Sequence, residues 1–198
     1  MVPAIAGVFR ASALVHERGH GSGGLAVGSL VDLHADDGAG AFLVALRLAA
    51  RQQASGRTIV VVDAMGDFYP PAAAKAGLDL GRLLVLRSRD VLACLDESLR
   101  SKAVGAVVAR VRRLDGAQSH RLRVAAEAGG GLGLLVRPLD ERTAVSAAAV
   151  RLVVRATPPA ERFGERGFEL EPLRVRGDVA LATWRLAKSS GPLPGPPR

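Results

Sequence analysis

The chain has 198 residues, 48% of them hydrophobic and only 4% aromatic, with a formal net charge of +8. That length suits one domain with a substantial apolar core, and no apolar run reaches the roughly 20 residues a membrane-spanning helix needs. A single cysteine excludes an internal disulfide; Cys94 lies in an apolar helical context and reads as a small core residue. Residues 1–10 lack a basic leader before their short apolar stretch and make a poor signal peptide. These features fit the cytoplasm. Only three of the 27 basic residues are lysines, which matches a genome that prefers arginine codons. The positive excess permits contact with nucleic acid or an acidic partner without establishing it.

Residues 1–24 form a weakly patterned lead-in that ends in Gly19-His20-Gly21-Ser22-Gly23-Gly24. Residues 28–33 predict a strand, Asp36-Asp37-Gly38-Ala39-Gly40-Ala41 a glycine-rich turn, and residues 42–53 a helix broken by Ser55-Gly56. The β-branched run Thr58-Ile59-Val60-Val61-Val62 predicts a strand buried on both faces of a parallel sheet. Pro71 is placed to start a helix over 72–76. A short strand follows over 82–86, then a helix capped by Ser88 and running to Arg100. A strand over 104–111, a helix over 117–128 stopped by Gly129-Gly130-Gly131, and a strand over 132–136 complete the parallel series. Strands alternating with helices predict an α/β domain. After Pro138 the pattern changes. Residues 150–155, 168–176 and 179–186 alternate with period two and read as antiparallel strands with one wet face. Pro172 marks an edge or a bulge. The proline-rich residues 188–198 predict a disordered tail, leaving 25–187 as the domain proper.

A strand, a glycine-rich turn and a helix are the context of a nucleotide phosphate loop. Such a loop ends in Gly-Lys-Ser/Thr, so that an ammonium reaches the phosphates and a hydroxyl holds Mg²⁺. Here the stretch is Ala39-Gly40-Ala41, with neither group, and Asp36 and Asp37 put negative charge where phosphate would sit. The helix N-terminus still offers backbone N–H donors. His16-Glu17-Arg18-Gly19-His20 matches the zinc-protease pattern H-E-x-x-H. A third ligand is missing, since the longer pattern falls on Ala26, and each nearby glycine disfavours the required helix by about 1 kcal/mol. His34 and His120 have no ligand spacing, so no metal site is expected. Nor is there a G-x-S-x-G nucleophile elbow; Gly129-Gly130-Gly131-Leu132-Gly133 precedes a strand and reads as a helix stop. Arg110, Arg112, Arg113, His120, Arg121 and Arg123 form a basic cluster. It has two readings: a solvated helix face paired with Asp115 and Glu127, or a contact for nucleic acid or a partner. No aromatics interleave with it, which leaves little for base stacking.

Several stretches resemble the RecA-type ATPase core. Gly23-Gly24-Leu25-Ala26-Val27-Gly28 resembles its lead into the first strand, Val61-Val62-Asp63-Ala64 the strand before its catalytic glutamate, and Ala76-Gly77-Leu78-Asp79 its approach to the next strand. Within that superfamily, Phe68-Tyr69-Pro70-Pro71-Ala72-Ala73-Ala74 and residues 121–138 resemble the ImuA-like group of shortened RecA relatives. The resemblance covers roughly residues 23–185 and implies a three-layer α/β core of the P-loop NTPase type, mostly parallel, with antiparallel strands at its C-terminal end. It also implies positions where chemistry has been lost. The loop lysine and hydroxyl fall on Gly40 and Ala41, the catalytic glutamate on Met65, and the Mg²⁺-linked aspartate at or near Arg110. Hydrolysis needs phosphate charge neutralised, Mg²⁺ held and water oriented, so a pseudo-ATPase without a cofactor is expected. Asp63 and Asp67 remain near that mouth; Asp63 reads as a strand-end residue satisfied by backbone N–H groups. The stretches 112–119 and 139–147 are short for the DNA-binding loops of recombinases. The resemblance implies a non-catalytic adaptor in DNA damage tolerance, the error-prone translesion synthesis of the SOS response. Its partner would be an inactive Y-family polymerase-like protein, with the recombinase and an error-prone C-family polymerase in the same process. The alternatives are a weak ATP-binding protein that uses backbone amides and Asp63, and a cell-division inhibitor of related fold.

Overall fold

The computed structural model describes residues 25–157 and 167–175, and the backbone of three short strands at 8–9, 15–16 and 184–186. In chain order these are β1 (Val8–Phe9), β2 (Val15–His16), β3 (Leu25–Ala26), β4 (Leu30–Ala35), α1 (Ala41–Gln53), β5 (Thr58–Val62), α2 (Pro70–Lys75), β6 (Leu83–Leu86), α3 (Val91–Arg100), β7 (Val104–Arg110), α4 (Gly116–Gly129), β8 (Leu132–Pro138), β9 (Val150–Thr157), β10 (Gly167–Val175) and β11 (Trp184–Leu186). The main sheet runs β1-β11-β10-β9-β4-β8-β7-β5-β6. From β6 to β9 every neighbouring pair is parallel, while β9, β10 and β11 pair antiparallel. The expected mostly parallel α/β core with antiparallel C-terminal strands is present, and its layers are RecA-like.

The two-sided burial read from the β-branched run is borne out residue by residue. In β5, Ile59 and Val61 enter the core beneath α1 and α2, while Val60 and Val62 enter the core beneath α3 and α4. In β7, Ala106 and Val108 face the first core and Val107 and Ala109 the second. Alternate side chains of a strand point to opposite faces, so a run that is apolar at every position must be covered on both. Helices α3 and α4 pack closely because Gly129 has no side chain: a Cβ there would lie 1.9 Å from the Leu99 carbonyl oxygen. Arg57 then closes the C-terminus of α4, donating to the carbonyls of Gly129 and Gly130 at 2.9 and 2.7 Å, where the helix dipole favours a cation.

Three expectations need correction or sharpening. Strand β9 is not simply an antiparallel strand with a wet face: it runs parallel to β4 and its first five residues are buried. It carries β4 on one edge and the antiparallel β10 on the other, so the parallel series ends one strand later than the sequence pattern suggests. Ser88 does not cap α3. Asp90 does, accepting from the Ala93 amide at 3.1 Å, while Ser88 Oγ accepts from the Asp90 amide. Pro172 sits at a bulge, where the β9–β10 register shifts between Pro172 and Arg174. The tail at 188–198 and most of the lead-in at 1–24 lie outside the described residues. His16 of the H-E-x-x-H match ends a strand, and His20 is outside the description. Among the described residues no helix is long and apolar enough to cross a membrane.

Candidate functional site

The turn between β4 and α1 is short. The Ala39 amide donates to the Asp36 carbonyl at 3.1 Å, and Gly38 and Gly40 take φ of +77° and +82°. Gly40 is the left-handed N-cap of α1, which has no side-chain cap. Asp36 and Asp37 are exposed at this mouth. The expected lysine and hydroxyl positions, Gly40 and Ala41, are the N-cap and first residue of α1; moved one residue on, they would be Ala41 and Phe42. In either register there is no ammonium and no hydroxyl. The mouth is instead walled by an aromatic ring from the far end of the chain. A Cβ on Gly40 would lie 2.4 Å from Cε1 of Phe168 on β10, and the Arg47 guanidinium sits 5.6 Å from that ring's centroid. Phe168, Ala39, Leu43 and Ala72 help line a mainly apolar cavity of about 330 Å³ beside the loop, which Arg47 and Lys75 also border.

Of the other two positions singled out in the sequence, Arg110 reaches the start of α1 through Phe42, while Met65 faces solvent. Met65 is 76% exposed in the loop after β5. Asp63, at the end of that strand, is buried and fully engaged: Oδ1 accepts from the Gly66 and Asp67 amides at 3.0 and 3.2 Å, and Oδ2 from Phe68 at 3.3 Å. It shapes the loop, as expected from its place at a strand end. Arg110, at the end of β7, donates to Asp67 at 2.6 Å and lies 4.4 Å from the centroid of Phe42. Phe42 in turn packs edge-on against Phe68, with centroids 6.5 Å apart. Phe42, Phe68, Arg110 and Asp67 thus form one contact group beside the turn, two aromatic rings with one guanidinium–carboxylate pair.

The basic cluster divides. Arg121 reaches Asp96 at 2.9 Å, and Arg100 joins the same carboxylate at 3.2 Å. These partners hold Asp96 below its usual range, the Arg121 hydrogen bond most of all. Arg123 pairs with Glu127 and contacts His120. Asp115 is not a partner of these arginines; it forms a capping box with Gln118 at the start of α4. Arg112 and Arg113 remain exposed in the five-residue link from β7 to α4. Arg113 has φ of +55°, and its amide donates to Glu141 Oε1 at 2.9 Å.

A buried charge network escaped sequence reasoning. Asp32 and His34 share the sheet face of Leu30, beneath the segment after β8, and neither is exposed at all. Asp32 Oδ2 lies 3.2 Å from Arg137 and 3.5 Å from Arg151. His34 bonds the Pro138 carbonyl and Arg151, each at 3.2 Å. Arg137 continues to Glu141 at 2.8 Å. Burial pulls the His34 imidazole below its ordinary value, partly offset by the Pro138 carbonyl and Asp32. Burial also lowers Arg151. For Glu141 burial acts upward, but the Arg113 amide and Arg137 outweigh it and hold the carboxyl low. The available signal was polar residues at 32, 34, 137 and 151 within otherwise apolar strands.

No protein-family model matches the chain. It is 29% identical to Protein ImuA of Caulobacter vibrioides over 152 residues, 72% of this chain and 53% of that protein. It is 30% identical to Protein RecA of Mycoplasma genitalium and 31% identical to that of Mycoplasma pneumoniae, each over 91 residues, 44% of this chain and 27% of theirs. The chain thus spans about half the length of the ImuA it matches. The chain is thus similar to ImuA over most of its length and to RecA over less than half, and its sheet is RecA-like.

Proposed function

We propose that this protein is a non-catalytic RecA-like adaptor of DNA damage tolerance. It would act in error-prone translesion synthesis by holding an inactive Y-family polymerase-like protein, with the recombinase as a second partner. The observation that carries the reading is the occupancy of the nucleotide mouth. On this reading Gly40, Ala41, Met65 and Arg110 stand where phosphate, Mg²⁺ and water would need a lysine, a hydroxyl and two carboxylates. Phe168 lies against the loop as well. Similarity to ImuA and RecA supplies the process. An ATPase using Asp63 is disfavoured, because both carboxylate oxygens already accept backbone amides. DNA contact plays at most a weak part, since Arg110, Arg121 and Arg123 already have carboxylate partners.

The test is affinity purification of the tagged protein from its own cells after DNA damage. The adaptor reading expects a Y-family-like polymerase to co-purify and deletion to lower damage-induced mutation. Unchanged mutation frequency with no replication or repair protein recovered overturns it. Saturable ATP binding lost on altering residues 36–41 would restore the nucleotide reading.

A further inference from the structure

At the carboxyl ends of β6 and β7, on the α3–α4 side of the sheet, a pocket of about 350 Å³ combines charge with apolar surface. Its exposed wall carries Arg89, Arg112 and Arg113; its apolar lining includes Val91, Leu92 and Leu114. Among the described residues, no carboxylate lies within ion-pair distance of those three guanidinium groups. Two acids stand in or beside the hollow, Asp90 in its lining and Glu141 within the field of Arg112, so the arginines outnumber the carboxylates. Asp90 caps α3, Asp115 caps α4, and Glu141 accepts from the Arg113 amide and from Arg137. Arg110 also lines the pocket, but its guanidinium is held by Asp67 and Phe42.

We infer that this pocket docks an acidic peptide segment of a partner protein. An aliphatic side chain packs on Val91, Leu92 and Leu114 while neighbouring carboxylates pair with Arg89, Arg112 and Arg113. The inference rests on the adaptor reading and deepens it by naming a surface and the chemistry that fits it. Charge complementarity favours an acidic ligand, and bidentate arginine–carboxylate pairs give it orientation. The lining is mainly polar, and its apolar part at Val91 and Leu92 offers an aliphatic side chain a seat. No aromatic side chain lines the pocket, so bases find no stacking platform. The arginines also converge on one hollow and do not continue as a stripe, because Arg121 and Arg123 on α4 are paired off.

The experiment displays random dodecapeptides against the full chain and measures the enriched peptide by fluorescence anisotropy. The comparison proteins are Arg89→Glu/Arg112→Glu/Arg113→Glu, Arg112→Glu alone, and Arg123→Glu as a control outside the pocket. Circular dichroism checks that each variant is folded; Arg112→Glu keeps the test decisive if the triple variant is not. The wild type is expected to enrich sequences with acids flanking Leu or Ile. Binding should weaken by about tenfold or more in the triple variant, by about threefold in Arg112→Glu, and not at all in Arg123→Glu. Absence of acidic enrichment, or equal binding by the triple variant, overturns the inference. So does a labelled oligothymidylate that displaces the peptide and binds more tightly with the same arginine dependence; that outcome assigns the pocket to nucleic acid. If the polymerase-like partner co-purifies with the triple variant as well as with wild type, the pocket is not the docking surface while the adaptor reading stands. If it co-purifies with neither, the adaptor reading falls, and the peptide measurement still judges the pocket.

Discussion

Strand β4 and the turn that follows it treat charge in opposite ways. Beyond the strand's carboxyl end, at a mouth that in an ATPase would face ligand, Asp36 and Asp37 stand in solvent and the turn has no cation. Only a few residues earlier, Asp32 and His34 are completely buried and tied to Arg137 and Arg151. Charge at the mouth has little structural consequence, whereas charge inside joins β4, β8 and β9 through their side chains. The contrast teaches that ionic side chains in this fold serve its internal joints more than its ancestral mouth. The same holds for Arg110, which sits at the end of a catalytic-type strand and is engaged by its own neighbours.

The most severe break in this contrast is Asp32→Ala. It leaves Arg137 and Arg151 buried without their shared carboxylate and should cost about 3–5 kcal/mol in urea denaturation. Asp36→Ala, in the exposed turn, should stay within about 0.5 kcal/mol of wild type. A similar loss for both would erase the distinction. Next in size is Phe168→Ala, which removes a ring only 3% exposed and should cost about 3 kcal/mol. It also opens the mouth. Because Gly40 and Ala41 still supply no lysine or hydroxyl, isothermal titration with ATP should show no binding gained; a measurable affinity would identify the ring as what excludes nucleotide.

A pH series gives a smaller effect. His34 is held below its ordinary 6.5, so the unfolded chain binds its proton more readily. Its contribution is therefore full above 6.5 and declines as pH falls toward the lower folded value, with a slope of up to about 1.4 kcal/mol per pH unit. Asp96 and Glu141 are also held low, but their stabilisation is present above ordinary values of 3.8 and 4.5 and is lost only in more acid solution. His34→Gln should flatten the stability curve as pH falls below 6.5, and an unchanged slope would place the effect elsewhere. Apart from the Asp36→Ala control, the smallest change is Arg110→Ala. Its pair with Asp67 is 42% and 55% exposed, so the loss should be below about 1 kcal/mol by thermal melting.

The strands and helices of the parallel series were legible because their apolar spacing is set by which faces must be covered. The loop at 36–41 was legible from its glycines, and Asp63 from its place after a β-branched run. What escaped depends on pieces distant in sequence. Alternation at 150–155 says which residues are polar, yet Arg151 is polar and buried, because Asp32 neutralises it from another strand. The cluster at 110–123 looked continuous along the chain. It separates once Asp67 and Asp96 arrive from other elements, and Arg89 joins Arg112 and Arg113 only through the packing of α3 beside α4.

The contact between Gly40 and Phe168 joins residues well over a hundred positions apart in the chain. A ribosome delivers the turn and its helix long before it delivers β10, and domains are synthesised from the N-terminus at about 5–20 residues per second. Strand β4, which leads into the turn, gains its sheet neighbours only when β8 and β9 are made, and the wall follows about ten residues later with β10. The mouth is therefore completed by the late strands of the sheet, and its shape depends on the C-terminal half of the chain as much as on the loop itself.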